Sequence, residues 1–223
     1  MDQPGANIAR DAPLHYRMLQ RLLCSLVRWL THLDVQGLPN VPASGPLIVS
    51  PNHLHLFDSV IAFALVPRHM TAFAADKWRP TPFGCLLSWF GNAIYVARGE
   101  PDRTALAHAL AVLRSGCALG VAPEGTRSKT GGLQRGKDGA AYLASRSGAP
   151  ILPLVMWGQE QTFRCWLRLR RPAIHVRFAA PIALPPGAAR ARTAELSAYT
   201  DDLMRELARL LPAQYRGVYA DRV

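Results

Sequence analysis

Acidic residues are scarce in this chain. Only 15 Asp and Glu stand against 26 Lys and Arg, which leaves a formal charge of +11. A chain so balanced expects an anionic partner: nucleic acid, an anionic membrane surface or an acidic substrate. Charge alone does not choose among these. Cysteine is scarce too. Cys24, Cys85, Cys117 and Cys165 lie far apart, and no pair has C-x-x-C spacing, so they read as small buried hydrophobes rather than zinc ligands. No apolar run reaches the ~18 residues of a membrane span. Met1 to Pro13 is polar, carries Asp2 and Asp11, and lacks the basic and apolar regions of a signal peptide. The expectation is a cytoplasmic protein that meets a membrane, if at all, from one side. Internal repeats and low-complexity tracts are also missing.

What is present is a chain of 223 residues, 49% apolar, enough for one domain with a real core. Gly45–Ser50, Met70–Ala75, Ala93–Ala97, Cys117–Ala122, Ile151–Met156 and Ile174–Phe178 read as short buried strands. Pro153 inside the fifth run suggests an irregular or edge position. Between them, Asp58–Leu65, Pro82–Phe90, Asp102–Arg114 and Lys137–Arg146 read as helices, and Thr193–Leu211 as a C-terminal amphipathic helix. Strands alternating with helices predict an α/β fold with a largely parallel sheet of six or seven strands. Ligands gather at the carboxyl ends of such strands.

Polar motifs fall at those ends. His53 lies just past the first strand and Asp58 five residues later, close enough to meet across one turn. A carboxylate on one ring nitrogen fixes the tautomer and lets the other nitrogen take a proton from an alcohol. A helix-capping His with an Asp in the first turn is the plainer alternative. His55 with His53 suggests a metal pair, but the sequence supplies no third ligand at metal spacing. The fourth strand ends in Pro123-Glu124-Gly125-Thr126-Arg127-Ser128. There Gly125 permits a tight turn, Thr126 and Ser128 offer hydroxyls, and Arg127 offers a planar fork for phosphate oxygens. Glu124 either orients an acceptor hydroxyl or holds Arg127. Arg98 ends the third strand and could neutralise a phosphate. Gly131 to Lys137 imitates a nucleotide-binding loop, yet Asp138 stands where a Ser or Thr would hold magnesium. Lys137 therefore reads as the start of a packed helix.

Taken together, four ordered blocks resemble those of the 1-acylglycerol-3-phosphate acyltransferase family. They are Asn52-His53 with Asp58, Gly91 to Arg98, Pro123 to Ser128, and Ala149 to Leu154, and the likeness runs from about Pro39 to Ile182. The resemblance implies acyl transfer from an acyl carrier protein or coenzyme A thioester to the hydroxyl of a lysophospholipid, with no cofactor and no metal. It makes His53 the general base and Asp58 its partner. It assigns Arg98, Glu124, Gly125, Thr126 and Arg127 to the acceptor and its phosphate, and Lys77, after the second strand, to the thioester carbonyl. The chain departs from the family at Ala122, where Phe is usual, and inside the first block, where Leu54, His55, Leu56 and Phe57 are more apolar than usual at the start. These departures bear on which lysolipid is accepted. Acylation of glycerol-3-phosphate or another lysolipid, and a non-catalytic membrane-binding relative, are the rival readings. A nucleic-acid module has only the net charge and the cluster Arg164, Arg168, Arg170 and Arg171 in its favour.

Arg17 to Leu33 completes the picture. At ~100° per residue, Met18, Leu19, Leu22, Leu23, Leu26, Val27, Trp29, Leu30 and Leu33 share about half the circumference, with Arg17, Arg21 and Arg28 opposite. This is the pattern of an interfacial helix on the cytoplasmic face of an anionic membrane, or of an ordinary helix docked on the core. The expected division is residues 1–38 as tail and docking helix and 39–223 as the acyltransferase domain.

Overall fold

The structure is a computed structural model and describes residues 12–91, 93–96 and 102–222. Among these, seven strands form one sheet: β1 (His32–Gln36), β2 (Leu47–Pro51), β3 (Met70–Ala75), β4 (Ile94–Val96), β5 (Ala118–Gly120), β6 (Ile151–Trp157) and β7 (Ala173–Phe178). Their order is β1-β7-β6-β2-β5-β3-β4. Neighbours run parallel except β6 and β7. The helices are α1 (Leu14–Leu30), α2 (Phe57–Leu65), α3 (Pro82–Gly91), α4 (Arg103–Arg114), α5 (Gly139–Ser147), α6 (Thr162–Trp166) and α7 (Thr193–Leu210).

Side chains alternate across the sheet with the period of two that a strand imposes. Leu47 and Val49 of β2 join Leu152, Leu154 and Met156 of β6 in a core shared with α1 and α2. Ile48, Ile151 and Val155 point the other way, onto Leu113 of α4, Leu143 of α5 and Met204 and Leu207 of α7. Both faces are covered, which is why these strands read as continuous apolar runs.

Three expectations need correction. The first concerns α1, which ends at Leu30, so Leu33 lies not on the helix but in β1. This strand was not foreseen. It pairs with β7, its Asp34 accepting from Arg177 at 2.5 Å and lying 3.1 Å from the His175 ring. β1 lies before residue 38 and its partner β7 after it. The helix before it is riveted down as well. Tyr16 donates to Arg68 O and accepts from Met70 N, and Gln20 donates to the carbonyls of Phe63 and Val66 at the end of α2.

The second concerns Pro153, expected at an irregular or edge position: the strand is interior, so only the irregular alternative holds. Pairing passes from Leu154 with Phe178 to Ile151 with Ile182, three steps on one chain against four on the other. The bulge spares Pro153 the N–H it lacks, and its carbonyl still accepts from Ala179 N at 3.0 Å. The third concerns the cysteines: Cys85 is exposed and Cys24, Cys117 and Cys165 are only half-buried.

Candidate active site

The chain leaves β2 through α2 and crosses β5 to reach β3, on one face of the sheet. It leaves β5 through α5 and crosses β2 to reach β6, on the other face. Adjacent strand ends whose connections diverge leave a crevice between them, the usual place for a ligand. The loops after β2 and β5 meet in it. Ser50 Oγ donates to Val121 O at 3.1 Å, and Val121 N donates to Val49 O at 2.9 Å.

His53 stands where β2 has ended. Its Nδ1 lies 2.8 Å from Asp58 Oδ2. Asp58 opens α2 and is 1% exposed. A buried carboxylate is costly unless its oxygens are satisfied. Here Oδ2 also accepts from His55 N at 2.8 Å, and Oδ1 accepts from Gln159 Nε2 at 2.7 Å. With Nδ1–H given to Asp58, Nε2 carries the lone pair. The His55 ring turns to apolar neighbours, packing against Phe57 and Phe163, and its Nδ1 accepts from Phe57 N at 3.4 Å. Among the described residues, no group of three or more His, Cys, Asp or Glu could hold a metal ion.

The loop after β5 clamps the His53 main chain from both sides. Glu124 Oε1 accepts from His53 N at 2.8 Å, and Ser128 N donates to His53 O at 2.7 Å. The second oxygen of Glu124 accepts from Gln134 N at 2.9 Å. Burial desolvates the carboxylate and pushes its pKa up, and the N–H donors of Gln134 and His53, with the nearby His53 ring, pull it part of the way back. Its oxygens are taken by the protein's own N–H groups, and it makes no ion pair with Arg127 among the described contacts. Gly125 has a left-handed φ of 68°, which a side chain would strain. A Cβ there would lie 3.0 Å from Cδ of Lys137.

A cavity of about 760 Å³ opens at this crevice. The partly exposed His53, Thr126 and Asp138 and the exposed Lys137 line its mouth, with Asp58 buried beside His53; the rest of the lining is mostly apolar and built largely from small residues such as Ala62, Ala72 and Gly120, with Phe63 and Met70 among them. Ala122 also lines it, at the position where Phe was expected. Thr126 and Gly125 thus face the cavity, while Arg127 is exposed on the same loop and does not line it. Lys77 is exposed beyond β3, its ammonium 5.2 Å from the Trp78 ring, and it does not line the cavity either. Arg98 lies outside the described residues, as do Asn92 and Ala97 of its block.

Two contributors escaped the sequence reading. Lys137 reads as the start of a helix, but α5 begins at Gly139, and the Asp138 carboxylate accepts from Thr200 and Ser197 of α7. That leaves Lys137 on the loop at the cavity mouth. Gln159, fully buried, follows β6, the parallel neighbour of β2. Its place in the chain was the available signal, since the loop after a parallel neighbour opens on the same crevice.

The fold and the crevice define an α/β protein with a His–carboxylate pair at the mouth of an apolar cavity. The chain belongs to the acyltransferase family: a family model described as Acyltransferase matches residues 32–157. It is similar to a 1-acyl-sn-glycerol-3-phosphate acyltransferase of Borreliella burgdorferi, 26% identical over 150 residues that cover 66% of this chain and 60% of the relative. A Cocos nucifera protein of the same name is 33% identical over 59% of this chain and 44% of its own length. The chain therefore spans between 44% and 60% of the length of these relatives. Among solved structures it is similar to the 1-acyl-sn-glycerophosphate acyltransferase PlsC of Thermotoga maritima, with a TM-score of 0.68 and 25% identity over 87% of this chain and 79% of that one.

Proposed function

We propose that this protein moves a fatty acyl group from an acyl carrier protein or coenzyme A thioester to the free hydroxyl of 1-acylglycerol-3-phosphate, giving phosphatidic acid. The observation that carries this reading is the 2.8 Å contact between His53 Nδ1 and Asp58 at the mouth of an apolar cavity in an acyltransferase-family chain. His53 Nε2 takes the hydroxyl proton as the oxygen attacks the thioester carbonyl. The C–O bond forms, the C–S bond breaks, and the thiolate leaves with the proton from the imidazolium. A base so placed supplies about 10²–10⁴-fold in rate. Asp58 holds the tautomer and supports the transient positive charge. The transfer is direct, without an acyl-enzyme, cofactor or metal.

The acceptor phosphate lies toward Gly125, Thr126 and Arg127, with Lys137 and Arg98 as further cations. Glu124 serves the acceptor indirectly, through the loop it holds against His53. Lys77 is assigned to the thioester carbonyl. The apolar depth takes an acyl chain.

The substrates are lipids, and the protein works from the cytoplasmic face of an anionic membrane as a peripheral enzyme. No described helix is long and apolar enough to cross a membrane. Instead, α1 divides its broad apolar face. Leu19, Leu23 and Val27 pack on the core, whereas Leu14, Met18, Leu22, Leu26 and Trp29 stay exposed beside Arg21 and Arg28. That outer ridge suits an interface.

The test offers purified protein a panel of lysolipids and glycerol-3-phosphate with each acyl donor and identifies products by mass. Phosphatidic acid from 1-acylglycerol-3-phosphate is expected. Product from glycerol-3-phosphate alone would replace this acceptor, and no product from any pair would sink the enzymatic reading.

A further inference from the structure

We infer that the turn joining α6 to β7, Leu167 to Arg171, inserts into an anionic lipid bilayer, its two leucines entering the acyl region while Arg168 and Arg170 meet the headgroups. The inference rests on the lipid-acceptor reading above and extends it to a second membrane contact beyond the outer ridge of α1.

The turn is well ordered by its own hydrogen bonds, yet it displays its most apolar side chains. Leu167 N donates to Phe163 O at 3.0 Å, Leu169 N to Trp166 O at 2.9 Å and Arg170 N to Cys165 O at 2.9 Å. Leu167 is nevertheless 88% exposed and Leu169 98%, so neither side chain rests on the fold. Leu169 is the one non-glycine among the described residues with a positive φ, 52°. A left-handed backbone disfavours a leucine, and such strain persists where the surrounding structure imposes it, often for a functional reason. Phe163, one turn back, is also exposed.

Charge selects the occupant. Arg164, Arg168, Arg170 and Arg171 flank the leucines, and no Asp or Glu interrupts the stretch from Thr162 to Phe178. Protruding leucines between arginines match a bilayer with anionic headgroups, where apolar burial and electrostatic attraction add. The turn is also continuous with the surface of α1. Trp166 Nε1 donates to Leu30 O at 3.2 Å, and Arg171 donates to the carbonyls of Arg28 and Thr31 at the end of that helix, beside the exposed Trp29.

The same element reaches the reacting groups. Phe163 and Trp166 pack against Phe57, the residue before Asp58, with ring centroids 5.4 and 5.5 Å away. Gln159, just before α6, donates to Asp58 itself. A bilayer held at the turn is therefore held close to the cavity mouth.

The test is co-sedimentation of the full chain with vesicles of phosphatidylcholine alone and of phosphatidylcholine with phosphatidylglycerol in equal parts. Wild type should bind the anionic vesicles more tightly. L167E/L169E should weaken that binding at least about tenfold with an unchanged melting temperature, since both side chains are exposed. R168Q/R170Q should weaken binding to the anionic vesicles roughly tenfold and leave binding to the neutral ones unaltered. Transfer to a short-chain lysolipid dissolved as monomers should be the same in L167E/L169E as in wild type. Unchanged vesicle binding in both variants overturns the inference. So does self-association of the wild type that L167E/L169E abolishes while vesicle binding stays the same, because the turn then meets a second copy. Vesicle binding is read without turnover, so a wild type that binds through the turn but transfers nothing would sink the proposed function and leave this inference standing.

Discussion

The main-chain N–H of His53 donates to the carboxylate of Glu124 at 2.8 Å, joining two motifs 71 residues apart. Glu124 also holds Gln134 N, so one buried carboxylate sets the position of the imidazole. E124Q keeps the shape but turns an amide donor toward an N–H donor, and a buried donor left without an acceptor costs about 1–3 kcal/mol. Turnover should fall roughly tenfold or more while the KM for the acyl donor stays near wild type. Loss in KM alone would mean that Glu124 contacts substrate.

The same residue makes a pH prediction. Its pKa is raised by burial, so the folded state holds the proton more tightly than the unfolded chain. The stability this group contributes is complete below the ordinary glutamate range and is lost as pH rises through the raised folded value. E124Q cannot ionise. The melting temperature of wild type relative to E124Q should therefore drift downward as pH rises from the ordinary glutamate value. A flat difference across that window would contradict the burial account.

Removal of the base should be nearly complete in effect. H53A should lose about 10²-fold or more of transfer while retaining the fold, and D58N should also cripple it, because the amide no longer enforces the imidazole tautomer. Steady-state rates with circular dichroism as a folding control decide the matter. A folded H53A with near-normal rates removes His53 from the mechanism.

Gln159 should matter through Asp58 alone. Q159L removes the donor to Asp58 Oδ1 and should lower kcat several-fold with little change in KM, whereas Q159E sets a like charge against the carboxylate and should cost more. Equal effects of the two on kcat would argue that only the packing of this loop is being read.

Lys137 on the cavity and Arg127 on the loop beside it should act on the acceptor. R127A and K137A should each raise the KM for the lysolipid by roughly tenfold and leave that for the thioester nearly unchanged, a charge-assisted bond being worth about 1.5–3 kcal/mol. R127K should rescue poorly, since an ammonium lacks the planar fork. Equal losses for both substrates would point to a structural role in the loop.

The two edges of α1 should behave differently. Leu22 is exposed and Leu23 packs on the core. L22E should weaken vesicle binding without changing the melting temperature, and L23E should lower the melting temperature by burying a charge. The reverse result would place the core on the wrong side of the helix.

The α/β class, six of the seven strands and the His53–Asp58 pair were legible in the sequence because each rests on local signals. Buried strands show as short apolar runs between turn residues, helices show their period, and His53 meets Asp58 across five residues. β1 was hidden because Leu33 falls in phase with the helix before it, although His32-Leu33-Asp34-Val35-Gln36 alternates as a strand should. Its pairing with β7, 141 residues away at His32 and Ala173, decided between the two periods. The division of the apolar face of α1 was likewise beyond the sequence, since leucines for the core and leucines left exposed look the same along the chain. Only tertiary structure could commit Glu124 to His53 and Gln134, bring Gln159 to Asp58 and leave Lys137 at the cavity mouth. The sequence determined which groups have chemistry to offer; sheet order and helix packing, which act between residues far apart in the chain, decided which of those groups meet.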